Sequence, residues 1–224
     1  MIEYTLNRSK RKTLALYIRD GKVEVRAPLK IPVKNIEKFI LSKEKWISDK
    51  VRKAIEQTRQ RESFTLSYGD TVLYCGTLYP IITKTGNSIG FDDTGFYMPP
   101  GYTSDEIKQA CVRIYRMLAY RDLNERVTEF SQMMSVSPNA VKINSASTRW
   151  GSCSAKKSIN FSWRLIMADD DVIDYVVVHE LAHLLELNHS DKFWSIVRNI
   201  LPDYKDRQRR LRELQRRLNC EDWG

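Results

Sequence analysis

The run VVVHELAHLLELNHSDKFW, residues 176–194, constrains this chain more than any other stretch, because all three of its histidines, His179, His183 and His189, fall within it. The apolar residues around His-Glu-x-x-His predict a buried helix, on which residues four apart project from one face, one turn apart. Two imidazole nitrogens placed this way can reach one zinc ion at roughly 2.0–2.1 Å. Glu180, beside the first of them, points slightly around the helix, where it can reach a metal-bound water and act as base for attack on a carbonyl. Left unpaired in an apolar helix, two imidazoles and a carboxylate would carry a desolvation cost that a metal removes.

A catalytic zinc usually takes three protein ligands and keeps one position open. His189 is the third candidate. Ten residues beyond His179 it lies roughly 280° past two full turns, so the two cannot share one straight helix face. The helix is therefore expected to end between His183 and His189, with Asn188 taking the left-handed conformation at that end. Ser190 or Asp191 then opens the next helix and fixes the position of His189.

Elsewhere the pattern alternates between strands and helices. KTLALYI and KVEVRAP, joined by RDGK, read as a hairpin with an Asp-Gly turn. Helical spacing follows over 33–60, at Ile36, Phe39, Ile40, Lys43, Trp46, Ile47, Val51 and Ile55. From 64 to about 98 short strands are punctuated by turns at Gly69, Gly86 and Gly95. A capping-box pattern at Thr103–Glu106 predicts a long helix to about Met134, its apolar face formed by Ile107, Ala110, Cys111, Ile114, Leu118, Leu123 and Val127. Strands are expected at 140–145 and 158–164, then a helix from Asp169 or Asp170, the SDKFWSIVRNI helix, and a last basic helix after Pro202. The class is α+β, with a β-rich N-terminal half and a mostly helical C-terminal half. The prolines at 99 and 100 mark the best candidate boundary, giving subdomains 1–100 and 101–224.

Charge is uneven. Residues 1–62 hold 17 Lys+Arg against 8 Asp+Glu, a net +9, and the remainder is neutral overall. Within that remainder, 165–203 is acidic, at net −6, and 204–217 basic, at net +5. Basic ends around an acidic centre leave two readings open: an anionic partner such as nucleic acid, or solvated helix faces. Cys75, Cys111, Cys153 and Cys220 form no CxxC pair, so reduced structural cysteines are expected rather than a cysteine metal site. No apolar run approaches the roughly 20 residues that span a bilayer, and MIEYTLNRSKRK lacks a signal peptide's apolar block, so a soluble cytoplasmic protein is expected.

Residues 148–194, TRWGSCSAKKSINFSWRLIMADDDVIDYVVVHELAHLLELNHSDKFW, resemble the YgjP-like zinc metallopeptidases, relatives of the SprT-like and WLM domains among the small gluzincins. The resemblance rests on His-Glu-Leu-Ala-His, the following Asn-His-Ser and Phe-Trp, and the preceding Arg-Trp-Gly-Ser-Cys-Ser. It implies a zincin-like metallopeptidase holding one Zn²⁺ through His179, His183, His189 and a water, with Glu180 as catalytic base. The His179-to-His189 spacing also equals that of metzincins, but Glu186 stands where their glycine would be. Arg149, Ser152 and Ser154 could line a substrate cleft, SINFSWRL could present a sheet edge to an extended peptide, and Asn160 and Arg164 could face the zinc helix. Trp150, Cys153 and Trp163 could equally be core, as Phe193 and Trp194 are expected to be.

The first functional reading is thus a peptidase acting on a peptide or protein. The alternatives are a metal-dependent nucleoside triphosphate (UTP) pyrophosphatase and a DNA-associated zinc protein, with nucleotide or nucleic acid held by the basic segments. The oligomeric state has no signature in the sequence.

Overall fold

The computed structural model describes residues 2–223, which form a mixed α+β chain of two compact units: one from residues 2–64 with 218–222, the other from 65–217 with Trp223. The division falls at Phe64/Thr65, well before the prolines near 100 where the sequence reading placed it. The strands between 71 and 98 belong with the long helix that follows them, because Phe96, Met98 and Ile81 are buried in the same unit as Ile107 and Ile114.

The first unit is a three-stranded sheet of β1 (Thr5–Ser9), β2 (Ala15–Arg19) and β3 (Lys22–Pro28), in the order β1-β3-β2. β2 and β3 form the expected hairpin, and both turn residues lie in the left-handed region, Asp20 at φ 48° and Gly21 at φ 74°. That pairing is the type I′ signature, whose twist matches the flanking strands. Val23, Val25 and Ala27 of β3 bury against Ile36 and Ile40 of α1 (Val33–Ser42) and Ile47 of α2 (Glu44–Glu62).

The sequence predicts one helix over 33–60; the chain instead breaks at Lys43, which leaves helical geometry at φ −116° and ψ 10°. A sheet of three strands offers a short apolar face, and it takes Ile36, Ile40 and Ile47 while Trp46 and Ile55 stay exposed.

The second unit holds a four-stranded sheet, order β4-β5-β7-β6, of β4 (Thr71–Tyr74), β5 (Thr77–Thr83), β6 (Gly90–Asp92) and β7 (Gly95–Met98). The long helix α3 (Ser104–Met133) opens with the expected capping box: the Glu106 N–H donates to Thr103 Oγ1 at 3.4 Å, and the Thr103 N–H donates to Glu106 Oε2 at 2.8 Å. All seven apolar-face residues of the sequence reading are buried. A second sheet, order β8-β10-β9, follows with β8 (Ala140–Asn144), β9 (Gly151–Cys153) and β10 (Ser158–Ser162). The expected strand 158–164 stops at Ser162, and Trp163–Met167 form a buried 3-10 helix whose Trp163 stacks on Tyr115.

Three helices complete the unit: α4 (Asp170–Ala182), α5 (Asp191–Ile200) and α6 (Tyr204–Leu218). α4 is buried nearly all round, through Val172, Ile173, Tyr175, Val176, Val177, Val178, Leu181 and Ala182. Such a helix belongs to the centre of a core and holds its side chains rigidly. Its acidic first turn is met by arginines from neighbouring helices. Arg126 of α3 pairs with Asp170 and Asp174, while Arg210 of α6 pairs with Asp169 and Asp171. Asp169 occupies the N-cap position but gives its side chain to Arg210 rather than to the helix end.

Candidate metal centre and active site

The three histidines converge. α4 carries His179 in its last turn, His183 caps its end, and His189 stands just ahead of α5. One ligand nitrogen from each lies within 4.8 Å of the others, and the Nε2 atoms of His179 and His189 are 3.0 Å apart.

The turn that returns His189 differs from the expectation. Asn188 does not take the left-handed conformation; the only non-glycine residues at positive φ among those described are Asp20, Cys75, Ser135 and Lys157. The helix end is closed by tight backbone bonds, from Leu184 N–H to the Leu181 carbonyl and from Leu185 and Glu186 N–H to the Ala182 carbonyl. With those carbonyls satisfied, no left-handed residue is needed. Ser190 then caps α5, its Oγ accepting from the Phe193 N–H at 3.3 Å.

These donors fit a zinc ion. Ligand nitrogens around a tetrahedral zinc at roughly 2.0–2.1 Å stand roughly 3.3 Å apart, close to the 3.0 Å between the His179 and His189 nitrogens. Burial, aided by the neighbouring imidazoles, pushes His179 down to about 3, so the ring is neutral and its lone pair available. Burial also lowers His183. Its Nδ1 lies 3.1 Å from the Glu186 carbonyl; a proton held there leaves Nε2 free to coordinate.

Glu180 is buried, and burial alone pushes its carboxyl up to about 7. Its place depends on Gly151, whose backbone packs directly against it. A Cβ at residue 151 would meet Glu180 Oε1 at 2.5 Å and its Cγ at 2.6 Å, so only glycine lets β9 come this near. The cleft beside them, about 330 Å³, is lined by Gly151, Ser152, Cys153, His179, Glu180, His183, Leu187 and His189.

Of the residues singled out beside the histidine helix, Ser152 lines this cleft and four others do not. Ser154 Oγ accepts from the Ser158 N–H at 3.2 Å. Asn160 pairs with Ser152 from the next strand in. Arg164 donates from Nη1 to the Ser145 carbonyl at 2.9 Å and lies over the Trp163 ring at 4.4 Å. Arg149 is exposed in the loop before β9. The SINF segment also proves to be the central strand of its sheet, with β8 on one side and β9 on the other, so the edge facing the cleft is Gly151–Cys153. Gly151 and Leu187 went unread in the sequence. The glycine carried one usable signal, since a strand glycine marks a close approach. Leu187 carried none; it is an apolar residue left 70% exposed between His183 and His189.

Residues 12–214 match the family model of the YgjP-like metallopeptidase domain. The chain belongs to the YgjP-like metallopeptidase family. Membership makes it a hydrolase, and the histidine trio lies within the matched span. Two solved structures are similar to parts of this YgjP-like chain. One is the metallopeptidase zymogen abylysin of Pyrococcus abyssi, at 21% identity over 40% of this chain and 90% of that one, with a TM-score of 0.37. The other is the metallopeptidase zymogen jannalysin of Methanocaldococcus jannaschii, at 23% identity over 42% of this chain and 96% of that one, with a TM-score of 0.36. No curated protein matches the sequence. Among the described residues, no helix is long and apolar enough to cross a membrane.

Proposed function

We propose that this YgjP-like chain is a zinc-dependent peptidase in which His179, His183 and His189 hold one ion and Glu180 is the base. The observation that carries the reading is the convergence of three imidazole nitrogens within 4.8 Å beside a buried carboxylate in one cleft. A bound zinc would supply the Lewis acidity that brings a water's proton within reach of a carboxylate near neutral pH.

Glu180 accepts that proton as the water attacks the peptide carbonyl, then returns it to the leaving nitrogen. Burial pushes this carboxyl up to about 7 in the ion-free site; a bound dication would lower it, leaving a carboxylate ionised at neutral pH and able to take a proton. Gly151 keeps the carboxylate turned toward the cleft by leaving it room. The outer edge of β9 offers backbone N–H and C=O groups to an extended peptide, with Ser152 and Leu187 alongside.

Replacing Glu180 by Gln tests this. The variant keeps one zinc per chain and loses roughly 10²–10⁴ in turnover, as removal of a general base does. Peptide cleavage at the wild-type rate in the variant would remove Glu180 from the chemistry. Pyrophosphate release from UTP without peptide cleavage would move the substrate to nucleotides.

A further inference from the structure

Resting on the zinc reading above, we infer that Phe193 is the positioning residue of the metal centre, a rigid wedge that sets the orientation of all three imidazoles. Its ring is fully buried at the start of α5. Its centroid lies 4.9 Å from that of His179, 4.6 Å from His183 and 4.7 Å from His189. Among the described residues no other aromatic side chain touches all three: Trp194 reaches His179 and His189, and Tyr175 reaches His179.

Hydrogen bonding leaves this task to packing. A metal-binding imidazole is usually oriented by a bond from its other ring nitrogen to a carbonyl or carboxylate. Here only His183 has that support, through the Glu186 carbonyl. His179 Nδ1 is buried with no partner. The His189 ring, among the described residues, has only the His179 nitrogen within hydrogen-bonding distance. Two of the three rings therefore owe their orientation to what they pack against.

Phe193 is suited to this. A phenyl ring has two torsions and a fixed shape, and this one meets the imidazoles at interplanar angles of 72°, 33° and 64°. Its backbone is fixed in turn, because the Phe193 N–H donates to the Ser190 cap one residue after His189. One contact thus ties the third ligand's loop to the wedge that orients it. Supporting shells of this kind hold ligand side chains near their bound geometry before the ion arrives.

Cobalt(II) uptake by the metal-free full chain tests the inference, with absorbance reporting coordination geometry and a competing chelator giving the affinity. Phe193→Leu keeps an apolar side chain but loses the flat ring. Cobalt affinity is expected to fall about 10- to 100-fold, the range for loss of a ligand's supporting partner, with a weakened tetrahedral absorption band. Phe96→Leu, which removes an equally buried ring outside the cleft, should keep wild-type affinity and spectrum. Wild-type cobalt binding in Phe193→Leu, or an equal loss in Phe96→Leu, overturns the inference. If Phe193→Leu does not fold, crystal structures of the wild-type chain with and without zinc decide. Unchanged orientations of His179 and His189 support the wedge, and reorientation on zinc binding overturns it. A wild-type chain that takes up neither ion overturns the zinc centre itself, and the role of Phe193 with it.

Discussion

At Gly151 the β9 backbone comes so close to Glu180 that an added methyl group would stand 2.5 Å from a carboxylate oxygen. Gly151→Ala must therefore displace either the strand or the carboxylate. Because a misplacement of about 1 Å costs on the order of 10²-fold in rate, the variant should lose about that much turnover. Zinc content should hold, since no ligand is touched. Paired measurements of turnover and bound zinc check this, and wild-type turnover would show that Glu180 needs no such room.

The convergence of the histidines was legible in the sequence because their spacing is a local property, set by helix geometry and one short turn. Gly151 was not, because its partner is 29 positions away and only the folded sheet brings them together. Arg149, Asn160 and Arg164 drew notice as polar groups near the motif. Tertiary partners decide otherwise for Arg164, whose guanidinium goes to the Ser145 carbonyl and the Trp163 face.

Elements with a chemical start signal were read most accurately. The Asp-Gly turn marked the β2–β3 hairpin, and the Thr103–Glu106 box marked the beginning of α3. The box predicts an effect of its own. Thr103→Ala removes the hydroxyl that accepts from the Glu106 N–H, and a lost cap of this kind costs about 0.5–2 kcal/mol. Denaturant unfolding should show a lower midpoint at unchanged slope, whereas no change would mean that packing alone sets this helix end.

Breaks without such a signal were missed. The chain leaves helical geometry at Lys43 within Ser42-Lys43-Glu44, where no glycine or proline marks it. The 3-10 helix at Trp163–Met167 was hidden inside an apolar run that also suits a strand. The turn before His189 was foreseen in place but not in form. Backbone bonds from Leu184, Leu185 and Glu186 do the work assigned to a left-handed Asn188.

For the molecule as a whole, the charge pattern resolves unevenly. The acidic stretch 165–203 and the basic helix α6 largely answer each other. Arg207 pairs with Asp171 and Asp203, and Arg210 with Asp169 and Asp171, whereas Arg209 pairs with Asp206 and Glu213 of α6 itself. The hydrogen bonds from Arg210 hold Asp171 below the usual carboxylate range. Arg207 and Arg210 fasten the N-terminus of the helix that bears His179 and His183, a structural use that the linear sequence could not separate from an anion-binding one. The family match spans both compact units, while the histidines, Glu180 and Gly151 all lie in the second.

The central claim is that these three histidines hold one zinc ion in that second unit. Anomalous diffraction on either side of the zinc absorption edge, from crystals of the full chain grown with zinc, tests it most directly. The account predicts one strong peak per chain, within roughly 2.0–2.1 Å of an imidazole nitrogen from each of His179, His183 and His189. A cleft with no peak, or an ion bound only elsewhere, would contradict it.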